Sequence, residues 1–276
     1  MSLRNRAVIV GTALIALLAA AAPAAAEPTW APAGEADIRP GNMTFAEGGQ
    51  CTSNVVFFDA DDKVYLGQAA HCFGTEGSTA TNGCDSDSLP LGTEVEIEGA
   101  SQPGTLAYSS WLAMQEAGET DDNTCQFNDF ALVQIDPADV DEVNPTIPVL
   151  GGPTGLDGRT TALEKVSSYG NSSLRGDIDL LKPKTGTSLG QSAGGWNHNV
   201  LAVTPGIPGD SGSRFIDRQG RAFGTLSTLQ ILPLAGSNGL SDLSLALDYL
   251  RSSGFDAELA EGTEEFRDSL IPLALG

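Results

Sequence analysis

Short runs of alternating or continuous apolar residues recur along the chain between turn signals, at 54–59, 63–69, 94–98, 106–114, 130–135, 163–169, 199–204, 213–217 and 222–230. Val95 and Ile97 alternate with Glu94, Glu96 and Glu98, the period-2 pattern of an antiparallel strand with one face in water. Phe130-Ala131-Leu132-Val133 is apolar throughout, as expected of a strand buried on both faces. One segment has helical period: Leu243, Ala246, Leu247 and Leu250 share a face, with Ser241 to cap its start and Gly254 to end it. Many strands followed by one late helix predict an all-β barrel architecture. The tail from Phe255 to Gly276 is acidic and then apolar, and the pattern assigns it to no element.

Composition narrows the function classes. The 276 residues include 36 acidic and 14 basic side chains, a net charge of −22 and a pI near 4.1. Nucleic-acid binding needs clustered Lys and Arg, and a polybasic membrane-surface protein needs the same, so both are disfavoured. A hydrophobic fraction of 41% is enough for a sizeable core and argues against disorder. The acidic clusters Asp59, Asp61, Asp62 and Glu119, Asp121, Asp122 lack EF-hand spacing and read as solvated surface rather than calcium ligands.

Residues 1–26 combine Arg4 and Arg6, an apolar run from Ala7 to Ala22 and a small-residue stretch ending at Ala26, the layout of a secretory signal. Those residues hold two arginines and no acid, so the chain from Glu27 carries 36 acids against 12 bases, 24 net negative charges. Residues 27–37 read as a short pro-segment or N-terminal extension, and 38–276 as the main domain. Export makes disulfides the expected state of Cys51, Cys72, Cys84 and Cys125, with three connectivities open. With no C-x-x-C and two histidines, a structural zinc site is not expected, and no cofactor is implied.

Gly209-Asp210-Ser211-Gly212-Ser213 puts a serine in a tight turn where backbone N–H groups can converge. An α/β-hydrolase is excluded by order, because its histidine follows the nucleophile, whereas His71 and His198 both precede Ser211. His71 follows a strand in Ala69-Ala70-His71-Cys72, and Asp129 opens one in Asn128-Asp129-Phe130-Ala131-Leu132-Val133. Each segment alone is a common turn or cap. The three in the order His, Asp, Ser form a nucleophile, a base and an orienting acid.

These three motifs, with Phe223-Gly224-Thr225-Leu226-Ser227 after them, resemble those of the chymotrypsin-like serine proteases, in their secreted bacterial branch. The resemblance runs from about Ile38 to Gly254 and implies two six-stranded antiparallel β-barrels with a C-terminal helix. It implies Ser211 as nucleophile, His71 as general base and acid, Asp129 as its orienter, and the N–H groups of Gly209 and Ser211 as the oxyanion hole. Ser227 would donate to Asp129. Cys51–Cys72 would tie the strand before the cleft to the His71 turn and leave Cys84–Cys125 as the second pair, each worth about 3–4 kcal/mol on a loop-entropy model. A protein or peptide is the implied substrate, of a monomeric extracellular enzyme.

The chain departs from the family at the specificity pocket. Pro205 stands where trypsin-like members carry an acid, Gly206 and Ile207 continue the wall without a charge, and the disulfide across the pocket is missing. Thr228 and Leu229 follow Ser227 where an aromatic and a glycine are usual. An uncharged or apolar P1 residue is therefore expected. Asp210, beside the serine, needs a cationic partner: a freed N-terminal amine, as in the animal branch of the family, or an internal arginine such as Arg175. His198 has no ligand partner at metal spacing and reads as a surface or structural residue. Two alternatives remain open: a protease-fold binding protein with a blocked cleft, and a secreted esterase using the same triad.

Overall fold

A computed structural model of the chain describes residues 27–268 apart from 48, 76–80, 177, 231 and 232. Residues 1–26, read above as a secretory signal, lie outside the described residues. The first half contributes β1 (Met43–Ala46), β2 (Gly49–Thr52), β3 (Val56–Phe58), β4 (Val64–Gln68), β5 (Glu94–Ile97), β6 (Gly104–Ser109), α1 (Ser110–Ala117), α2 (Asp122–Phe127) and β7 (Ala131–Gln134). The second half contributes β8 (Lys165–Tyr169), β9 (Pro183–Ser192), β10 (Asn197–Ala202), β11 (Arg214–Ile216), β12 (Ala222–Gln230), β13 (Ser237–Asp242), α3 (Leu243–Ser252) and β14 (Glu258–Leu259).

The second half closes into a six-stranded barrel in the order β10-β13-β12-β11-β8-β9. The seven strands of the first half are joined by the tail strand β14 in an eight-stranded sheet, β14-β3-β4-β7-β6-β5-β1-β2, with the hairpin strand β2 at one edge and β14 at the other. The assigned pairings are antiparallel, so the all-β expectation holds, with α3 as the late helix. β5 shows the anticipated alternation, Val95 and Ile97 buried between exposed glutamates. β7 explains its unbroken apolar run: Ala131 and Val133 face one core with Leu66 and Leu106, while Phe130 and Leu132 face another with Leu243 and Leu247 of α3. A smaller core of Val166, Val200, Phe215, Phe223, Leu226 and Leu240 fills the barrel.

Three local expectations change. The run 106–114 is not one strand, because β6 ends at Ser109 and α1 begins. Trp111 and Met114, three apart, are buried together there, which a helix turn allows and a strand does not. The start of α3 is capped by Asp242, whose Oδ1 accepts from the N–H of Leu245 at 2.8 Å, and not by Ser241, whose hydroxyl instead accepts from the N–H of Asp129. Strands β9 and β13 had no apolar alternation to announce them. The buried positions of β9 are Lys184, Gly186 and Ser188, and β13 is Ser-Asn-Gly-Leu-Ser-Asp.

Both ends of the described chain are tied down. Ala31 donates its N–H to Val143 O at 2.9 Å, and Trp30 packs edge-on against Phe58. The tail pairs through β14 with β3, and the Glu264 carbonyl then accepts from Gly152 N–H at 3.0 Å on the segment linking the halves. Among the described residues no helix is long and apolar enough to cross a membrane.

Candidate active site

β4 runs into a 3₁₀ turn, Ala70–Phe73, that carries His71. Cys72 in the same turn is bonded to Cys51 of β2, and Cys84 is bonded to Cys125 of α2, the two pairings the resemblance implied. Asp129 sits between α2 and β7, its approach held by Ser110, whose hydroxyl donates to Asn128 O and accepts from Phe130 N–H. The Asp129 carboxylate binds His71 twice: Oδ1 accepts the backbone N–H at 2.8 Å and Oδ2 lies 2.7 Å from Nδ1. Ser227 Oγ donates to the same Oδ2.

These contacts set the charges. Burial alone would lower the His71 pKa, but the Asp129 charge and hydrogen bond outweigh it and leave it above the ordinary 6.5. Burial would likewise raise Asp129, yet the charge and hydrogen bonds of His71, joined by the Ser227 hydroxyl, hold it below the ordinary 3.8. Asp129 is therefore ionised at neutral pH and fixes the proton of neutral His71 on Nδ1, leaving Nε2 free as a base.

Ser211 comes from the other half, between two tight turns closed by Asp210 N–H to Ile207 O at 2.9 Å and Ser213 N–H to Asp210 O at 3.1 Å. Gly209 and Gly212 take φ of +94° and +88°, backbone that favours glycine. At Gly212 a side chain is also excluded by space, because a Cβ would lie 2.6 Å from Thr52 O. The first half grips this segment directly. Thr52 N–H donates to Ser211 O at 2.8 Å, Thr52 Oγ1 to Gly209 O at 2.7 Å, and Asn54 Nδ2 to Gly212 O at 2.8 Å. The N–H groups of Gly209 and Ser211 donate to no described residue. No Ser211–His71 hydrogen bond forms among the described residues, and such bonds are often long until substrate binds.

Two cavities of about 350 and 370 Å³ meet at His71, Pro208 and Ser211. The first runs between Gly206, Ile207, Leu226, Ser227, Thr228, Leu229 and Asn238; the second runs along the Cys51–Cys72 disulfide past Gln50 and Leu174.

No family model and no curated protein matches the chain. Among solved structures it is similar to Thermobifida fusca Protease A, 16% identical over 82% of this chain and 99% of that one, with a TM-score of 0.49. A Nocardiopsis protease is 17% identical over 81% and 99%, TM-score 0.48. Cellulomonas bogoriensis chymotrypsin is 14% identical over 81% and 99%, TM-score 0.49. At these values the likeness bears on neither activity nor substrate. The side chains have to carry that argument.

They bring most of the anticipated residues together. His71, Asp129, Ser211 and Ser227 converge, and Gly206, Ile207, Thr228 and Leu229 line the 350 Å³ cavity. Pro205 does not line this cavity, and its carbonyl accepts from Arg175 Nη2 at 2.8 Å. Arg175 does reach Asp210, Nη2 to Oδ2, at 2.7 Å. His198 is not on the surface. It is fully buried, with Nε2 2.6 Å from Asp242 Oδ2 and Nδ1 2.9 Å from Thr160 Oγ1, so it links β10 to the residue that caps α3. Asp59 closes a hairpin by accepting from Asp61 N–H, Lys63 N–H and Tyr65 OH, and Asp121 caps α2. Sγ of Cys51, Sγ of Cys72 and a His71 nitrogen lie within 4.8 Å of one another, but both sulfurs are spent in the disulfide and offer no thiolate.

Three site residues had no sequence signal. Thr52 lies in a short polar stretch and Asn54 is the polar first residue of the run 54–59, yet both are wholly buried. Asn238 spans the first cavity: its Oδ1 accepts from Gly206 N–H at 2.8 Å and its Nδ2 donates to Thr228 O at 3.2 Å.

Proposed function

We propose that the protein is a serine endopeptidase, exported to an oxidising compartment where its two disulfides persist. The observation that carries this reading is the His71 Nδ1–Asp129 Oδ2 contact of 2.7 Å, closed by Ser227, on a cavity edge shared with Ser211. Ser211 Oγ attacks the scissile carbonyl carbon as its proton passes to His71 Nε2. The carbonyl π pair moves to oxygen, and the N–H groups of Gly209 and Ser211 stabilise the oxyanion, each contributing about 3–4 kcal/mol. Collapse breaks the C–N bond while His71 gives its proton to the leaving amine. Water, deprotonated by His71, then releases the acyl group and restores Ser211. Residues 27–37, packed on the first half through Trp30 and Ala31, act as an extension of the folded domain.

A peptide substrate has a place to pair. Beyond Thr225, β12 keeps β13 as its one strand neighbour among the described residues, so its other edge is open for β-augmentation at Ser227–Leu229. The P1 side chain enters a cavity whose walls beyond the catalytic residues carry no charge and whose floor is crossed by Asn238. Uncharged P1 residues are therefore preferred. In a panel of P1-varied peptides, kcat/KM should be highest for uncharged side chains; preference for Arg, Lys or Glu would refute this pocket assignment.

The test of the reaction is labelling of the folded protein by a fluorophosphonate, followed by a casein digest. Labelling with proteolysis supports the endopeptidase; labelling with ester hydrolysis alone makes it an esterase; no labelling makes it a binding protein. A pH profile adds an independent check. His71 must be neutral to act, and its folded pKa is raised, so kcat/KM should climb through a single limb centred above 6.5. The same raised pKa stabilises the fold fully below 6.5, and that contribution is lost as pH rises through the folded value. Activity and this part of stability thus move in opposite directions. Urea unfolding of wild type and His71→Ala across pH 5–9 measures the second trend (about two units either side of an ordinary histidine).

A further inference from the structure

Asp210 is fully buried immediately before Ser211, and two cations reach it. Arg175 Nη2 lies 2.7 Å from Oδ2, and Lys184 Nζ lies 3.1 Å from the same oxygen. Oδ1 accepts from Ser172 N–H at 3.1 Å, and Oδ2 also accepts from Ile207 N–H at 3.1 Å. The carboxylate therefore sits at the centre of both turns that present Gly209 and Ser211.

One cation suffices to neutralise Asp210, yet the chain buries a second. Lys184 has no exposed side-chain surface and, apart from the contact with Asp210, its Nζ has no polar partner among the described residues. Burial pushes its ammonium below the usual lysine range; Asp210 opposes that push, and Arg175 adds to it. An apolar side chain would be easier to bury at this interior position of β9. The neighbouring backbone makes room for it: a Cβ at Gly170 would collide with the Asp210 carboxylate and with Lys184 Cε.

We propose that Lys184 is a positioning residue that shares Asp210 with Arg175 and holds the Ile207–Ser213 turns in the shape that aims the Gly209 and Ser211 N–H groups into the cleft. Arg175 grips the carboxylate from the rim, where it is also bonded to Pro205 O; Lys184 grips it from inside the barrel. The assignment rests on the serine-protease reading above.

The test compares Lys184→Met, Lys184→Arg and Arg175→Ala with wild type, using fluorophosphonate labelling, steady-state kinetics and the affinity of a peptide aldehyde whose hemiacetal oxygen occupies the oxyanion hole. Loss of one oxyanion donor lowers kcat by about 10²–10³ and misalignment by less, so Lys184→Met should lower kcat by about 10–100-fold. KM should stay within about twofold, because the change is felt in the transition state. Aldehyde affinity should fall by the same factor as kcat, and Lys184→Arg should regain part of both. Arg175→Ala should remain folded and be labelled slowly, because Lys184 still neutralises Asp210; this variant decides the matter if Lys184→Met does not fold. A folded Lys184→Met with wild-type kcat and aldehyde affinity, or an Arg175→Ala that is unfolded or wholly unreactive, overturns the assignment while leaving the protease reading intact. A folded wild type that takes no label overturns both.

Discussion

Ser211→Ala should abolish fluorophosphonate labelling and lower kcat on a peptide substrate by about 10⁶-fold, the scale on which removal of a triad serine acts in a protease of unrelated fold. The size follows from the mechanism, since no other group can form the acyl-enzyme. Nothing else in the site should move. Ser211 holds its place by its backbone, with its carbonyl accepting from Thr52 N–H at 2.8 Å, so losing Oγ removes no contact that positions Gly209 or His71. KM and thermal stability should therefore stay near wild type. Residual activity about 10³–10⁴ above the uncatalysed rate should survive from the oxyanion hole and binding. Measuring kcat, KM and label incorporation on one purified sample checks all of this; a labelled Ser211→Ala would assign the nucleophile elsewhere.

Asp129→Asn is expected to have the next largest effect, a drop in kcat of about 10⁴-fold with the protein still folded. Asp129 takes the His71 N–H on Oδ1 and faces both Nδ1 of His71 and the Ser227 hydroxyl with Oδ2. An amide keeps one acceptor oxygen. If that oxygen stays with the His71 backbone, the NH₂ faces Nδ1 and forces the ring proton to Nε2, where it blocks proton transfer from Ser211. The loss should be greatest near neutrality and partly relieved at high pH, where serine can ionise without a base. Because the negative charge is gone, the activity limb should also shift toward or below the ordinary 6.5 of histidine. A pH–rate profile of the variant tests both statements, and an unchanged limb would mean that Asp129 does not set the state of His71.

Parts of this site were readable because they are local. Gly209 and Gly212 announce left-handed backbone around a serine, and His71, Asp129 and Ser211 each sit in a short connection two or three residues from a strand. That Asp210 must find a cation was legible for another reason, since a carboxylate next to a nucleophile cannot be buried unpaired; the fold chose Arg175 over a freed N-terminal amine. Other parts were hidden. β9 and β13 bury serine, glycine, asparagine and lysine, so neither carries the apolar alternation by which strands are recognised. The acceptor for the start of α3 could not be told from its neighbour, since Ser241 and Asp242 are both good caps and their directions differ only in the folded chain.

What the chain order alone determined was the chemical inventory: an acidic, strand-rich protein with a serine, a histidine and an aspartate, each in a connection near a strand. The tertiary structure decided what surrounds that inventory. It brought Thr52 and Asn54 across to hold the Ser211 segment, laid Asn238 across the pocket, sent His198 inward to Asp242 and placed Lys184 beneath Asp210. The physical reason is the same in each case. A polar side chain reads as surface until a partner from a distant strand makes its burial tolerable, and that partner is set by the pairing of sheets, which no local pattern encodes.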